Sequence, residues 1–268
     1  MIVEQTLPSG MRFWVARPEA DGPRPAVFLH HERYGPVAHS FSEIEKMAAE
    51  GYVGCLPDLY HRFQEDRGLL ERAEARCDPT DEETLADLDE SLAYLRTLDF
   101  VDGDNIGMAG FCASGRVPMV FAASRRDLKG IAIFHGGVYP RDYDPIYPGQ
   151  GTVANIIPEL SCPLLGLFGE LDFLVPLDNV LRLRSELELY RKSYQIKVFA
   201  HTSHAWGVDD GTGRYRAEEA EEAWRMMVTF FGEVFTGKWD TGRALWRMES
   251  DVAEDYDYEK VVRQFQGG

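Results

Sequence analysis

Cys112, Asp172 and His204 have the residue types, and the order along the chain, that nucleophilic cleavage of a carbonyl needs. Cys112 lies in Gly110-Phe111-Cys112-Ala113-Ser114-Gly115, directly after the apolar run Ile106-Gly107-Met108-Ala109. Small residues there let a strand turn sharply into a helix, because glycine tolerates close backbone approach. Such a turn lifts its central side chain above the sheet edge, over a helix N-terminus whose partial positive charge favours an anion. The thiolate is the reactive form of cysteine, so that position suits a nucleophile. Pro163-Leu164-Leu165-Gly166-Leu167-Phe168-Gly169 reads as a buried strand followed by Glu170, Leu171 and Asp172. Tyr194-Gln195-Ile196-Lys197-Val198-Phe199 reads as a later strand followed by His201 and His204. All three residues thus fall just past the C-terminal end of a strand, where open parallel sheets bind ligands. His204 would act as base and then acid, and Asp172 would fix its tautomer and stabilise the imidazolium. His201 competes for the first role, and Glu170 and Asp178 for the second.

The elements that must carry these residues alternate in type. Ile2 to Leu7 and Met11 to Val15 read as paired strands about Pro8-Ser9-Gly10; Ala26 to Leu29, Tyr52 to Leu56 and residues 129–136 read as further strands. Phe41 to Ala49 has helical spacing, as does Leu85, Leu88, Leu92 and Leu95 on a helix starting near Thr80-Asp81, and 216–235 reads as a long last helix. The alternation predicts an α/β fold, a mostly parallel sheet flanked by helices. Two segments fall outside it. Residues 58–80 are charged and carry Tyr60, His61, Arg62 and Arg67, which suits either a cap over the site or a surface excursion. Residues 237–268 form a C-terminal extension beyond a 1–236 domain, with Trp239 and Trp246 to pack on that domain or, in a homodimer, on a second copy.

At 268 residues the chain suits one large α/β domain. Its 45 acidic against 28 basic residues give a net charge of −17, which excludes nucleic acid and disfavours an anionic membrane surface. The start, Met1-Ile2-Val3-Glu4-Gln5-Thr6, lacks the basic and apolar regions of a secretory signal, and no apolar run approaches the roughly 18 residues of a membrane span. Cys55, Cys77, Cys112 and Cys162 form no CxxC pair. Four cysteines could make two disulfides in a secreted protein, but Cys55 and Cys162 lie in or beside apolar strand-like runs and read as reduced core residues. A cytoplasmic setting keeps a catalytic thiol reduced. His30 and His31 are adjacent on a strand and point to opposite faces, so they do not share an ion. No metal or cofactor is expected.

Several motifs resemble those of the dienelactone hydrolases, over roughly residues 1–235. They are His31-Glu32-Arg33-Tyr34-Gly35, Leu56-Pro57-Asp58-Leu59-Tyr60, the Gly110-Phe111-Cys112 nucleophile elbow, Gly169-Glu170-Leu171-Asp172 with Val175-Pro176, and Ser203-His204-Ala205-Trp206. The resemblance implies an α/β-hydrolase fold, a Cys112-Asp172-His204 triad, and hydrolysis of a small lactone or carboxylic ester through an acyl-cysteine. It also implies an oxyanion hole of the backbone N–H groups of Ala113 and Arg33, and a Glu32 that keeps the resting thiol neutral. Tyr60, Arg62, Arg116 and Trp206 are candidates to line the substrate pocket. The chain departs from the pattern twice: Ser114 stands where the family has glycine, and Trp206-Gly207-Val208-Asp209-Asp210 offers acids where carboxylate-binding members carry an arginine. The second departure predicts a neutral substrate. The alternatives are a thioester or organophosphate ester cleaved by the same triad, or an inactive relative serving as a binding protein.

Overall fold

The computed structural model describes residues 2–144, 147–209 and 211–252. In chain order the strands are β1 (Ile2–Thr6), β2 (Arg12–Ala16), β3 (Arg24–His30), β4 (Val53–Pro57), β5 (Val101–Phe111), β6 (Leu128–Phe134), β7 (Leu164–Gly169), β8 (Tyr194–Phe199) and β9 (Trp246–Ser250). The helices are α1 (Ala38–Ala49), α2 (Arg67–Glu71), α3 (Asp81–Leu95), α4 (Val117–Ser124), α5 (Pro140–Tyr143), α6 (Val153–Ile156), α7 (Leu177–Leu189) and α8 (Ala217–Phe235). All nine strands form one sheet in the order β1-β2-β4-β3-β5-β6-β7-β8-β9. The pairs β1–β2 and β2–β4 are antiparallel and every other pair is parallel. The predicted α/β-hydrolase architecture is therefore present, and strand order reverses between β3 and β5, beside the elbow.

Alternation along the strands divides the core in two. Met108, Ile131, Ile133 and Ile196 face Leu88 and Leu92 of α3, Met119 of α4 and Leu183 of α7. Ala109, Ala132, Leu165 and Leu167 face Ile44 and Met47 of α1 and Trp224, Met227 and Phe231 of α8. Gly107 allows that second layer to lie close, since a Cβ there would run into the Phe231 ring. The start of α3 is as the sequence predicts: Thr80 Oγ1 accepts the Glu83 N–H (3.2 Å), and the Glu83 carboxylate accepts the Thr80 N–H (2.8 Å). No helix among the described residues is long and apolar enough to cross a membrane.

The 58–80 segment is tied down by charge. Buried Asp58 accepts from Arg67 (2.5 Å), and Arg62 makes a bidentate pair with buried Asp87 (2.5 and 2.7 Å). The described part of the C-terminal extension packs along the sheet. β9 lengthens the sheet beside β8, and buried Trp239 packs edge-on against Phe230 at 5.3 Å. Lys197 on β8 pairs with Glu222 of α8 (3.0 Å), Glu249 of β9 (2.7 Å) and Asp251 (2.9 Å). Within residues 237–252, Trp239 and the acidic groups thus find partners on α8 and β8; residues 253–268 lie outside the described residues.

His30, at the end of β3, is fully buried on Phe28, and neither ring nitrogen has a hydrogen-bond partner. Burial, aided by neighbouring His31, lowers its pKa to about 3. Between pH 6.5 and about 3 the unfolded chain therefore binds a proton there that the folded chain refuses, and stability falls as the pH drops through that window. Relative to wild type, His30→Leu should gain about 1.4 kcal/mol per pH unit below 6.5. Urea unfolding of both proteins at pH 7.5 and 5.5 measures this, and a difference that does not change with pH would refute it.

Candidate active site

The nucleophile sits on a strained turn. Cys112 has φ +48°, and the Gly115 N–H closes a 3₁₀ turn onto its carbonyl at 3.0 Å. A Cβ on Gly136, at the end of the neighbouring strand β6, would overlap the Cys112 carbonyl, so the two loops touch backbone to backbone. Ser114 explains how the chain does without the family glycine. Its buried hydroxyl accepts the Phe111 N–H (3.1 Å) and has the carbonyls of Phe111 (3.0 Å) and His30 (3.3 Å) within donating distance. That hydroxyl links the turn to the end of β3.

The acid and the histidine are held as firmly. The fully buried Asp172 accepts the N–H groups of Leu174 (2.9 Å) and Val175 (3.0 Å) on one oxygen and Nδ1–H of His204 (2.8 Å) on the other. The Leu171 N–H donates to the Thr202 carbonyl (2.8 Å), joining the two loops. Glu170 accepts the His201 N–H at 2.6 Å, so this competing acid holds the histidine loop by its backbone. The His201 side chain is 71% exposed, and Asp178 lies in the first turn of α7. His204 Nε2 stands 3.1 Å from Cys112 Sγ, which completes a hydrogen-bonded chain of Asp172, His204 and Cys112. Burial opposes charge on His204, but hydrogen bonds to Asp172 and Cys112, and the negative charge of both, raise its pKa to about 10. The pocket thus favours the imidazolium.

Two residues beyond β6 complete the surroundings of the thiol. Tyr139 Oη lies 3.5 Å from Cys112 Sγ and 3.4 Å from the His135 carbonyl, and burial pushes its phenol well up. His135, at φ +37°, packs edge-on against His204 (centroids 4.8 Å) and Trp206 (5.3 Å), and burial drives its pKa well down. Sequence reasoning missed both, although His135 ends a strand just as the triad residues do. Cys112, His135 and His204 each offer one metal-binding atom, all within 4.8 Å of one another. His30 and His31 belong to no such group among the described residues; His31 donates from Nδ1 to the Glu32 carbonyl (2.8 Å) and packs on Tyr60.

The remaining candidates fall into two groups. Glu32 lies 3.9 Å from His135 Nε2, and among the described residues the hydrogen-bond partners of Cys112 Sγ are His204 and Tyr139. Burial first, then the charge of Glu43, raises the Glu32 carboxyl. Tyr60, Ala113 and Arg116 line one cavity of about 50 Å³; Trp206, His135, Phe111 and Phe134 line another of about 150 Å³. Arg62 does not join them, because Asp87 holds it elsewhere. The Arg116 guanidinium is bound to Asp81 and to the Gly151 carbonyl, and Arg33 reaches away to the carbonyls of Ala73 (3.2 Å) and Ala75 (3.4 Å). The chain also carries an arginine that the expectation from residues 206–210 left out: the charge of Arg214 acts on Glu32, Tyr34 and His135.

Known proteins resemble this chain in sequence and fold. The sequence profile of the dienelactone hydrolase family matches residues 11–235. An Escherichia coli O157:H7 protein named "Putative carboxymethylenebutenolidase" is 31% identical over 223 residues, covering 81% of this chain and 80% of its own. A Klebsiella pneumoniae structure named "Putative Dienelactone Hydrolase" superposes with a TM-score of 0.76 at 27% identity, covering 87% of this chain and 98% of its own. A dienelactone hydrolase-like promiscuous phosphotriesterase from metagenomic libraries shares the fold, with a TM-score of 0.70 at 20% identity over 88% of this chain and 98% of its own. With a thiol elbow, an aspartate and a histidine joined in one chain of contacts on a sheet of this topology, the protein belongs to the dienelactone hydrolase family and is a hydrolase.

Proposed function

We propose that this protein hydrolyses a small carboxylic ester or lactone through an acyl-cysteine formed on Cys112. The observation that carries the proposal is the 3.1 Å approach of His204 Nε2 to a thiol held at φ +48°. Sγ attacks the carbonyl carbon, and the developing oxyanion is met by the N–H groups of Ala113 and Arg33. Collapse breaks the ester C–O bond, and His204 delivers its proton to the leaving alkoxide, giving acyl-cysteine and alcohol. In a lactone the alcohol stays tethered to the acyl group. A water then gives its proton to His204 and its oxygen to the acyl carbon, and the thiol is restored as the acid leaves. Asp172 keeps Nε2 aimed at sulfur throughout, and its buried charge compensates the imidazolium.

Incubation with a slow p-nitrophenyl ester, followed by digestion and mass spectrometry, should find the acyl group on Cys112. An acyl group on Ser114 with Cys112 unmodified would overturn the mechanism. Cys112→Ala should lose at least about 10³ in kcat, since nucleophile and base act as a unit. Thioesters and organophosphate esters belong in the same substrate panel, and a clear preference for either would replace the ester reading.

The substrate is neutral on this reading, because Arg62, Arg76 and Arg116 are each paired with an aspartate. For a matched neutral and anionic ester, kcat/KM should favour the neutral one. A tenfold advantage for the anion, about 1.4 kcal/mol, that disappears in Arg214→Ala would instead make Arg214 the carboxylate partner.

Glu32 guards the idle thiol on the same reading. Glu32→Ala should be alkylated faster by iodoacetamide while its turnover falls. Slower alkylation of the variant between pH 6 and 9 would rule out that role.

A further inference from the structure

The thiol, His135 and His204 have a geometry that the hydrolytic cycle does not require. Catalysis uses Cys112 and His204, yet a second imidazole ends β6 at the same edge, with its donor atom within 4.8 Å of theirs. All three residues are buried, and His135 Nδ1 has no hydrogen-bond partner. A buried imidazole nitrogen left without a partner is costly unless something binds it. The backbone of His135 is also held in the left-handed region, which disfavours most residues other than glycine and asparagine.

We infer that Cys112, His135 and His204 form an inhibitory binding site for a borderline-soft divalent cation such as Zn²⁺. One thiolate, two imidazoles and a solvent molecule make a four-coordinate set of the open type. Tetrahedral zinc places such ligand atoms roughly 3.3–3.6 Å apart, given Zn–S near 2.3 Å and Zn–N near 2.0–2.1 Å. The pair of Cys112 Sγ and His204 Nε2, at 3.1 Å, is already close to that spacing, and a pair at the 4.8 Å limit must contract by roughly 1.2–1.5 Å. The surrounding carboxylates match a metal site as well. Asp172 accepts Nδ1–H of His204, the carboxylate–histidine–metal arrangement that orients a ligand, and Glu32 lies 3.9 Å from Nε2 of His135. On binding, Zn²⁺ replaces the proton shared by sulfur and His204 Nε2, and that proton passes to solvent. The bound metal occupies the sulfur lone pair that attacks substrate, so turnover stops while the thiol is shielded from oxidants and alkylating agents.

The test reads metal binding directly and does not depend on which ester is cleaved. Co²⁺ added to the metal-free protein should give one equivalent of near-ultraviolet thiolate-to-metal absorption together with the visible bands of a tetrahedral ion. Zn²⁺ should displace the Co²⁺, slow iodoacetamide alkylation of Cys112 at least tenfold, and be removed by EDTA with recovery of the free thiol. His135→Asn, which suits a positive φ, should weaken Co²⁺ and Zn²⁺ binding at least tenfold. Cys112→Ser should abolish the thiolate band and serves as a second variant should His135→Asn fail to fold. Unchanged Co²⁺ affinity and spectrum in His135→Asn would overturn the inference, as would the absence of one-to-one Co²⁺ binding to wild type below about 100 µM, a Kd near 5.5 kcal/mol.

Discussion

The parallel register of β5 through β8 is the constraint on which the site depends. Phe111 pairs with Phe134, Phe134 with Leu167, and Gly169 with Phe199, so four strands finish along one edge. The residue after each end then needs little freedom to reach its neighbour. Cys112 follows β5 directly, His135 follows β6, and Asp172 and His204 arrive through loops of a few residues. Slipping one strand by two residues would shift its terminus by about 6.6 Å, more than twice the Cys112–His204 separation. Hydrogen bonds deep in the sheet thus set distances at its rim.

Within that frame the buried charges compensate one another. Burial opposes a positive charge on His204, and its hydrogen bonds to Asp172 and Cys112 on the two ring nitrogens offset that penalty. Asp172 tolerates burial because two backbone N–H groups share its charge with the imidazole. Removing either partner leaves the other as an uncompensated buried ion, which is why such groups act as a unit and not as separable contributions.

Much of this was legible in the sequence. Strand and helix periodicity gave the α/β sheet, and the position of each polar residue just past an apolar run gave Cys112, Asp172 and His204. The start of α3 near Thr80-Asp81 could be read because it is local. What stayed hidden depends on contacts distant in the chain. The pairing of Arg62 with Asp87 removed it from the pocket. Lys197 finds acidic partners at 249 and 251, far from it in the chain, and β9 pairs with β8 over a similar separation. His135 and Tyr139 lie on a loop with no signature of its own, made important only by the strand between β5 and β7.

The serine at 114 does more than fill the room left by an absent glycine. Its single proton has the carbonyls that end two neighbouring strands within reach, Phe111 of β5 and His30 of β3. The loop that begins after β3 carries Arg33, and the elbow carries Ala113. The spacing of Arg33 and Ala113 is therefore gauged by one buried hydroxyl, on a residue that also lines the cavity of Tyr60, Ala113 and Arg116. A change at residue 114 becomes a way to move those two loops relative to each other, with Cys112, Asp172 and His204 left as they are.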